Sequence, residues 1–122
     1  MSVITDNLKP TLNVNHDTSI LDAIENMVIE GKDAAIVRHN DRIVGILDLE
    51  VLLSQSKNDS LNISKTSVFL VMEPIIFMDS SAKKVRASKL MDDKDVEHIA
   101  VTNKDGVCIG VVSAKDLAKT GS

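Results

Sequence analysis

Histidine, cysteine and clustered acidic residues are the side chains of this chain that could hold a metal or catalyse a reaction. The histidines stand at positions 16, 39 and 98, and none lies four residues from another histidine or from the cysteine. Because metal ligands usually come at close, regular spacing, the sequence predicts no metal site. Cys108 lies inside an apolar run, where a buried and unreactive thiol is expected.

The other polar features also indicate no catalytic centre. The acidic residues Asp92, Asp93 and Asp95 surround a lysine and are typical of a solvated loop. The glycines follow neither the P-loop spacing nor the Rossmann spacing that binds phosphate groups. The sequence therefore predicts that the protein is not an enzyme.

One short motif differs between two similar stretches of the chain. The stretches read GVVSAKD at 110–116 and GILDLEV at 45–51. Ser113 and Asp116 fit a capping box, in which the serine side chain and the acid three residues later each accept a backbone hydrogen bond. Asp48 can cap its own helix equally well. Capping therefore explains Ser113 and Asp48, but it does not explain why Val51 replaces the acid.

The composition limits the kind of core that can position these residues. The chain has 122 residues, 43% of them hydrophobic and 26% charged, with a net charge of -4, two Phe and no Trp or Tyr. This is the size of one compact domain or two very small ones, with an almost wholly aliphatic core. Phe69 and Phe77 lie in apolar runs and are expected in that core, which argues against stacking on single-stranded nucleic acid. The acidic balance argues against binding to a duplex.

Cysteine use and hydropathy favour an intracellular protein. A single cysteine cannot form an intramolecular disulfide, so the fold needs no oxidising compartment. The first residues lack the basic and apolar regions of a signal peptide, and no apolar run approaches the roughly 18 residues of a membrane span. We therefore expect a soluble, cytoplasmic protein.

The two similar stretches belong to a longer internal repeat. When Pro10 is placed over Pro74, identical residues align in the same order along both halves, with one residue inserted near Gly106. The aligned pairs are Ala23 with Ala87, Met27 with Met91, Val37 with Val101, Asp41 with Asp105, Gly45 with Gly110 and Leu52 with Leu117. The hydrophobic pattern agrees as well, so each half is predicted to be β-α-β-β-α.

The first helix of each half shows capping and periodicity signals. In the first half, residues 17–19 offer N-cap side chains and Gly31 ends the helix. Its apolar residues recur at helical spacing: Ile20, Ile24, Met27 and Val28. In the second half, residues 79–81 are predicted to cap a helix that runs through Val85 and Met91.

Two apolar runs joined by a polar turn follow each of these helices. Hairpins are predicted about Asn40-Asp41 and about residues 103–106. Their strands are apolar on nearly every residue, so each sheet should be covered on one face by helices and on the other by the other half. Neither half, at about 50 residues, buries enough apolar surface to be stable alone.

The predicted fold class is therefore α/β, of the α+β kind. Two β-α-β-β-α repeats are expected to pack sheet to sheet with pseudo-two-fold symmetry. The first repeat is placed at 1–54, a polar linker at 55–66 and the second repeat at 67–122, all within one folding unit.

This organisation resembles the tandem CBS domain pair, or Bateman module, from about Val3 to Ala118. The resemblance depends on the paired repeats, on Met72-Glu73-Pro74, on the strand that ends in Ala100-Val101, and on the Gly-to-Asp motif at 110–116. It implies a regulatory module that binds an adenosine-containing ligand, such as AMP, ADP, ATP or S-adenosylmethionine, in clefts between the repeats. The ligand state would be read by a partner protein.

The resemblance also assigns roles to individual residues. Ser113 is expected to contact ribose or phosphate, and Asp116 to accept hydrogen bonds from the ribose hydroxyls. Four positions match those that surround adenine in the family: Thr11, Leu12, Ala34 and Val111. His98 and Lys115 match positions near the phosphates. A homodimer is expected through exposed apolar helix faces, such as those that carry Ile24, Val28 and Val85.

Several positions depart from the family pattern. Val51 cannot bind a diol, so the cleft of the first repeat is expected to be empty or to bind differently. Asp33 and Glu97 stand where basic residues would hold a polyphosphate, and histidine at position 98 is a weak anchor at neutral pH. AMP or S-adenosylmethionine is therefore expected before ATP. The alternative is a CBS pair that has lost ligand binding and serves as a dimerisation scaffold.

Overall fold

The computed structural model of the chain describes residues 3–9 and 11–120. The chain divides into two compact units, which we call the first-repeat unit, Thr11–Pro74, and the second-repeat unit, Met1–Pro10 with Ile75–Ser122. Each unit contains a three-stranded sheet and a hydrophobic core. Both units show the element order β-α-β-β-α, so the predicted repeat pattern and the α+β class are confirmed. None of the helices within the described residues combines the length and apolar character needed to cross a bilayer.

The first-repeat unit is a small mixed sheet with two helices. Its elements are β1 (Leu12–Asn15), α1 (Ile20–Glu30), β2 (Ala34–His39), β3 (Arg42–Asp48), α2 (Leu49–Gln55) and a 3-10 helix at Val68–Leu70. Strand β2 lies in the middle, parallel to β1 and antiparallel to β3. Helix α1 begins as predicted, because the Ser19 hydroxyl accepts a hydrogen bond from the Asp22 N–H at 3.1 Å. It ends at Gly31, whose φ of 65° provides the left-handed C-cap.

Helix α1 buries a narrower face than its apolar residues predict. Ile20, Ile24 and Met27 lie in the core of the unit. Val28, in contrast, is 59% exposed, and its neighbour Ile29 is 78% exposed. The prediction that Ile24 belongs to an exposed face for dimerisation is therefore wrong, since a residue four positions after Ile20 lies on the same side of the helix.

The segment predicted as a linker is held by short-range hydrogen bonds and by the first core. Asn58 and Asn62 each accept hydrogen bonds from the backbone and the hydroxyl of the serine two residues later. Leu61 and Ile63 pack against the first core, and the Ile63 carbonyl accepts a hydrogen bond from the Leu21 N–H at 3.0 Å. These contacts make the segment a part of the first-repeat unit.

The second-repeat unit repeats the same topology. Its elements are β4 (Phe77–Asp79), α3 (Lys84–Lys94), β5 (His98–Thr102), β6 (Cys108–Ser113) and α4 (Ala114–Thr120). Strand β5 lies in the middle, parallel to β4 and antiparallel to β6. The prediction that residues 79–81 cap α3 is wrong, because α3 begins only at Lys84. The Asp79 carboxylate closes a turn with the Ser81 hydroxyl and N–H, and these hydrogen bonds lower the pKa of Asp79.

The N-terminal segment is part of the second-repeat unit. A 3-10 helix at Ile4–Asn7 places the fully buried Ile4 side chain in the second core. The Ile4 N–H donates to the Ala82 carbonyl at 2.9 Å. The buried Lys84 ammonium lies 3.8 Å from the Asp6 carboxylate. Backbone, core and charge contacts thus all tie this segment to α3 and its preceding turn.

Both phenylalanines lie at the surface of their units. Phe69 is 52% exposed and Phe77 is 45% exposed, so the prediction that both belong to the core is wrong. Phe69 lies in the 3-10 helix and contacts the His16 ring edge-on, at 6.2 Å between centroids. Phe77 begins the three-residue strand β4. Elements this short bury few of their side chains, and the two cores are aliphatic, as the composition predicts.

Candidate functional site

The motif that distinguishes the repeats lies at the junction of β6 and α4. Ser113 ends β6, and its hydroxyl oxygen accepts a hydrogen bond from the Asp116 N–H at 3.0 Å. In the first-repeat unit, Asp48 Oδ1 accepts a hydrogen bond from the Val51 N–H at 3.2 Å. The predicted caps at Ser113 and Asp48 are therefore confirmed. As expected, capping alone does not explain why one repeat has Asp116 where the other has Val51.

A lysine from the N-terminal segment holds the Asp116 carboxylate. Asp116 Oδ2 lies 2.7 Å from Lys9 Nζ, and the two side chains are 15% and 46% exposed respectively. A carboxylate with so little access to water needs a positive or hydrogen-bonding partner. Lys9 provides one, so Asp116 has a role that the capping box does not describe.

Backbone pairing fixes Lys9 beside β6. The Lys9 N–H donates to the Val111 carbonyl at 2.9 Å, and the Val111 N–H donates to the Lys9 carbonyl at 3.1 Å. Gly110 permits this approach, because a Cβ there would lie 2.6 Å from the Lys9 carbonyl oxygen. Sequence reasoning missed Lys9 because it lies at the opposite end of the chain from the motif.

The first-repeat unit shows the same pairing. Glu73, which also directly precedes a proline, donates to the Ile46 carbonyl at 2.8 Å and accepts from the Ile46 N–H at 3.0 Å. A Cβ at Gly45 would lie 3.0 Å from the Glu73 carbonyl oxygen. The two aligned prolines therefore follow equivalent backbone positions, one occupied by Lys9 and the other by Glu73.

This equivalence gives a physical reason for the asymmetry of the motif. Where one unit has Lys9 and Asp116, the other has Glu73 and Val51. At the backbone position where the second-repeat unit has the Lys9 cation, this unit has an acid, so a carboxylate at position 51 would lack the cation that pairs with Asp116. The residue before each proline is thus the sequence signal that could have revealed Lys9.

Four further predicted site residues accompany Asp116 in the second-repeat unit. Ser113 and His98 are paired across β6 and β5, and His98 is only 6% exposed. Val111 is buried in β6, and Lys115 is exposed in the first turn of α4.

The other three predicted site residues belong to the first-repeat unit. Thr11 directly precedes β1, and Leu12 pairs with Ala35 across β1 and β2. Ala34 begins β2 and pairs with Asp48, the residue that caps α2. Their predicted contacts with adenine stay a prediction.

Two histidines that are far apart in the sequence meet in the first-repeat unit. Because β1 and β2 are parallel, His16, which follows β1, lies beside His39, the last residue of β2, and their ring centroids are 4.0 Å apart. Cys108 is half-buried rather than fully buried, since it begins β6, and its thiol lies 3.6 Å from the Gly110 carbonyl oxygen. Over residues 3–9 and 11–120, no three His, Cys, Asp or Glu side chains are grouped to hold a metal ion.

A surface groove of the second-repeat unit lies apart from the motif. It has a volume of about 1090 Å³ and runs along β4 and α3. Its lining combines apolar, basic and acidic residues, among them Phe77, Val85, Lys83, Arg86, Asp79 and Asp93. Neither Ser113 nor Asp116 lines this groove, so the groove and the motif are different surfaces.

Comparison with known protein families shows which family has this repeated architecture. The family model described as the CBS domain matches the chain twice, over residues 4–57 and 68–121. The chain belongs to the CBS domain family. The resemblance drawn from the repeats and the motif is confirmed, and each matched segment contains one β-α-β-β-α pattern.

Known relatives of this CBS domain pair include a longer protein and solved structures. An uncharacterised protein of Methanocaldococcus jannaschii is 29% identical over 109 residues, which are 87% of this chain and 25% of that protein. The chain thus spans about a quarter of the length of that curated relative. The CBS domain pair of protein MJ0100, solved with 5′-methylthioadenosine and S-adenosylmethionine, has a TM-score of 0.78 at 14% identity and covers 99% of this chain and 96% of that one.

A second solved structure is the CBS domain of a bacterial CNNM/CorC family Mg²⁺ transporter in complex with ATP. It has a TM-score of 0.77 at 15% identity, over 97% of this chain and 85% of that one. At these identities, the likeness to both structures shows a common fold.

Proposed function

We propose that this CBS domain pair is a regulatory module that binds an adenosine-containing ligand at the junction of β6 and α4. The observation that carries the proposal is the Ser113–Asp116 motif at this junction, in which the Asp116 N–H donates to the Ser113 hydroxyl and the acid has no counterpart in the first repeat, where Val51 stands. A carboxylate that faces a ribose diol forms charge-assisted hydrogen bonds, which are stronger than neutral ones. CBS structures of the same fold that contain ATP, 5′-methylthioadenosine and S-adenosylmethionine support this ligand class.

Charge favours a ligand with few phosphates. Glu97 is exposed next to His98, and its carbonyl accepts a hydrogen bond from the Ala114 N–H at 2.9 Å, which places it at the start of α4. A carboxylate there opposes a polyphosphate. AMP and S-adenosylmethionine are therefore proposed before ATP.

The wider assignment consists of predictions that follow from the sequence. They are a homodimer, an unidentified regulated partner, a cytoplasmic location, the absence of enzymatic activity and the repeat boundaries 1–54, 55–66 and 67–122. The binding roles of Thr11, Leu12, Ala34, His98, Val111 and Lys115 also stay predictions.

A second candidate function is a dimerisation scaffold that binds no ligand. The ion pair with Lys9 favours it, because the pair gives Asp116 a structural role that requires no ligand. Val28 and Val85, at 59% and 71% exposure, retain the apolar surface that self-association needs. A ligand screen separates the two candidates, since a scaffold gains no stability from a nucleotide.

Thermal unfolding with added ligands tests the proposed function. AMP, ADP, ATP, S-adenosylmethionine and NAD are added singly, and at least one is expected to raise the melting temperature of the wild type. A ligand at 100 times its Kd stabilises the folded state by about 2.7 kcal/mol, which corresponds to a shift of several degrees for a domain of this size. Asp116→Asn, which retains the shape but not the charge, is expected to lose most of that shift.

Asp48→Asn is the matched control for this screen. Asparagine caps a helix about as well as aspartate, so the control removes one carboxylate from the first-repeat unit without removing its cap. It should respond to ligand as the wild type does. If no compound stabilises the wild type, the scaffold is the better description. If Asp116→Asn keeps the full shift, the ligand binds elsewhere.

A further inference from the structure

We propose that Lys9 selects the charge of the ligand at Asp116 and favours a nucleoside monophosphate over the uncharged nucleoside. This inference rests on the proposed function, because it assumes that ribose hydroxyls bind the Asp116 carboxylate. It adds a specificity-determining residue that lies outside the motif and outside the set of predicted site residues.

The first step of the argument is competition for one carboxylate. In the structure, the Lys9 ammonium lies 2.7 Å from Asp116 Oδ2, within the distance of a charge-assisted hydrogen bond. Ribose hydroxyls must donate to the same carboxyl group. A ribose diol that engages both oxygens of this carboxylate therefore takes Oδ2 from the lysine, which then gives up part of its contact with Asp116.

The second step concerns where the displaced ammonium can go. Two hydrogen bonds to Val111 and the close approach to Gly110 hold the Lys9 backbone against β6. The ammonium is carried on a flexible four-carbon stem, and the side chain is 46% exposed, so it can rotate while its backbone stays in place. A displaced ammonium thus remains close to the ligand that displaced it.

The third step is the balance of charge in the bound state. Uncharged adenosine breaks the ion pair and offers the lysine no anionic partner. The free energy lost with the ion pair is then not recovered and weakens the binding of adenosine. A ligand with a 5′-phosphate offers the ammonium a second anion while the ribose occupies Asp116. Lys9 should therefore weaken the binding of adenosine and strengthen the binding of AMP.

The first-repeat unit provides an internal comparison. At the equivalent backbone position it has Glu73 instead of a lysine, and at the equivalent of Asp116 it has Val51. Neither residue can form the pair, so the proposed charge selection belongs to one repeat only. The cation and the acid occur together in one unit and are both missing from these two positions in the other.

Calorimetric titration of adenosine and AMP tests the proposal. Wild type is expected to bind AMP more tightly than adenosine. In Lys9→Gln, the affinity for AMP should fall while the affinity for adenosine stays equal or rises. The ratio of the two dissociation constants should therefore change about tenfold, which corresponds to the free energy of one hydrogen bond to a charged group. Lys89→Gln removes the same charge from an exposed lysine on α3 and should leave the ratio unchanged.

A conservative variant and the wild type distinguish a failure of the charge argument from a failure of the proposed function. Lys9→Arg retains the positive charge and should preserve the preference for AMP, so a loss of preference in both variants would indicate packing and overturn the charge argument. An unchanged ratio in a folded Lys9→Gln would overturn the role of Lys9 and leave the proposed function intact. If neither compound binds the wild type, the proposed function fails together with this inference.

Discussion

Replacing Ile4 with alanine is expected to lower the free energy of unfolding by about 2 to 5 kcal/mol. Ile4 lies near the N-terminus, yet its side chain is fully buried in the second core with Met91, Val101 and Leu117. Truncation removes apolar contacts and leaves a cavity that the surrounding side chains fill only in part. Urea denaturation of the wild type and Ile4→Ala measures the difference.

Ile29→Ala is the matched control for this measurement. It removes the same atoms from a side chain that is 78% exposed, so its effect should stay within about 0.5 kcal/mol. If the two variants lose equal stability, the N-terminal segment does not contribute to the second core. A large loss at Ile4 alone would show that this segment is needed for the stability of the second-repeat unit.

Local patterns in the sequence were enough to predict most of the fold. The cap at Ser19, the C-cap at Gly31 and the turn at Asn40 each involve residues that are close together in the chain. The repeat then transferred the same pattern to the second half, where the hairpin of β5 and β6 confirms it. These features are predictable because hydrogen bonds between near neighbours decide them.

Competition between local signals caused the errors in the second half. Asp79 was predicted to cap a helix, but its carboxylate closes a turn with Ser81, and α3 begins at Lys84. Asp and Ser are suited to both motifs, so the residue types alone cannot decide between them. Similarly, Phe77 is apolar enough for a core position, but it lies at the start of a short strand and is partly exposed.

The motif alone reveals only a part of the candidate site. Ser113 and Asp116 are close in sequence, and their cap follows from spacing. Lys9 approaches Asp116 through backbone pairing with Val111, a contact between the two ends of the chain that leaves no local periodicity. The alignment of Pro10 with Pro74 contained the relevant signal, because it also aligns Lys9 with Glu73.

Gly110→Ala is expected to destabilise the protein by about 2 to 4 kcal/mol, from overpacking together with backbone strain. The added Cβ would lie 2.6 Å from the Lys9 carbonyl oxygen, and φ at this position is +155°. This oxygen accepts a hydrogen bond from the Val111 N–H, and the Lys9 N–H donates to the Val111 carbonyl, so the Lys9 backbone cannot move away without breaking this pairing. Chemical denaturation of this variant, beside Gly45→Ala, measures the loss.

Gly45→Ala should lose less stability, because its nearest obstacle is the Met72 sulfur, at the flexible end of a side chain, although the Glu73 carbonyl oxygen lies at 3.0 Å. Equal and small losses would contradict the close approach of Lys9 to β6.

The two glycine variants also test the proposed preference for AMP, since displacing the Lys9 backbone separates its ammonium from Asp116. Any Gly110→Ala protein that remains folded should therefore show the same reduced preference for AMP as Lys9→Gln, whereas Gly45→Ala should keep the preference of the wild type.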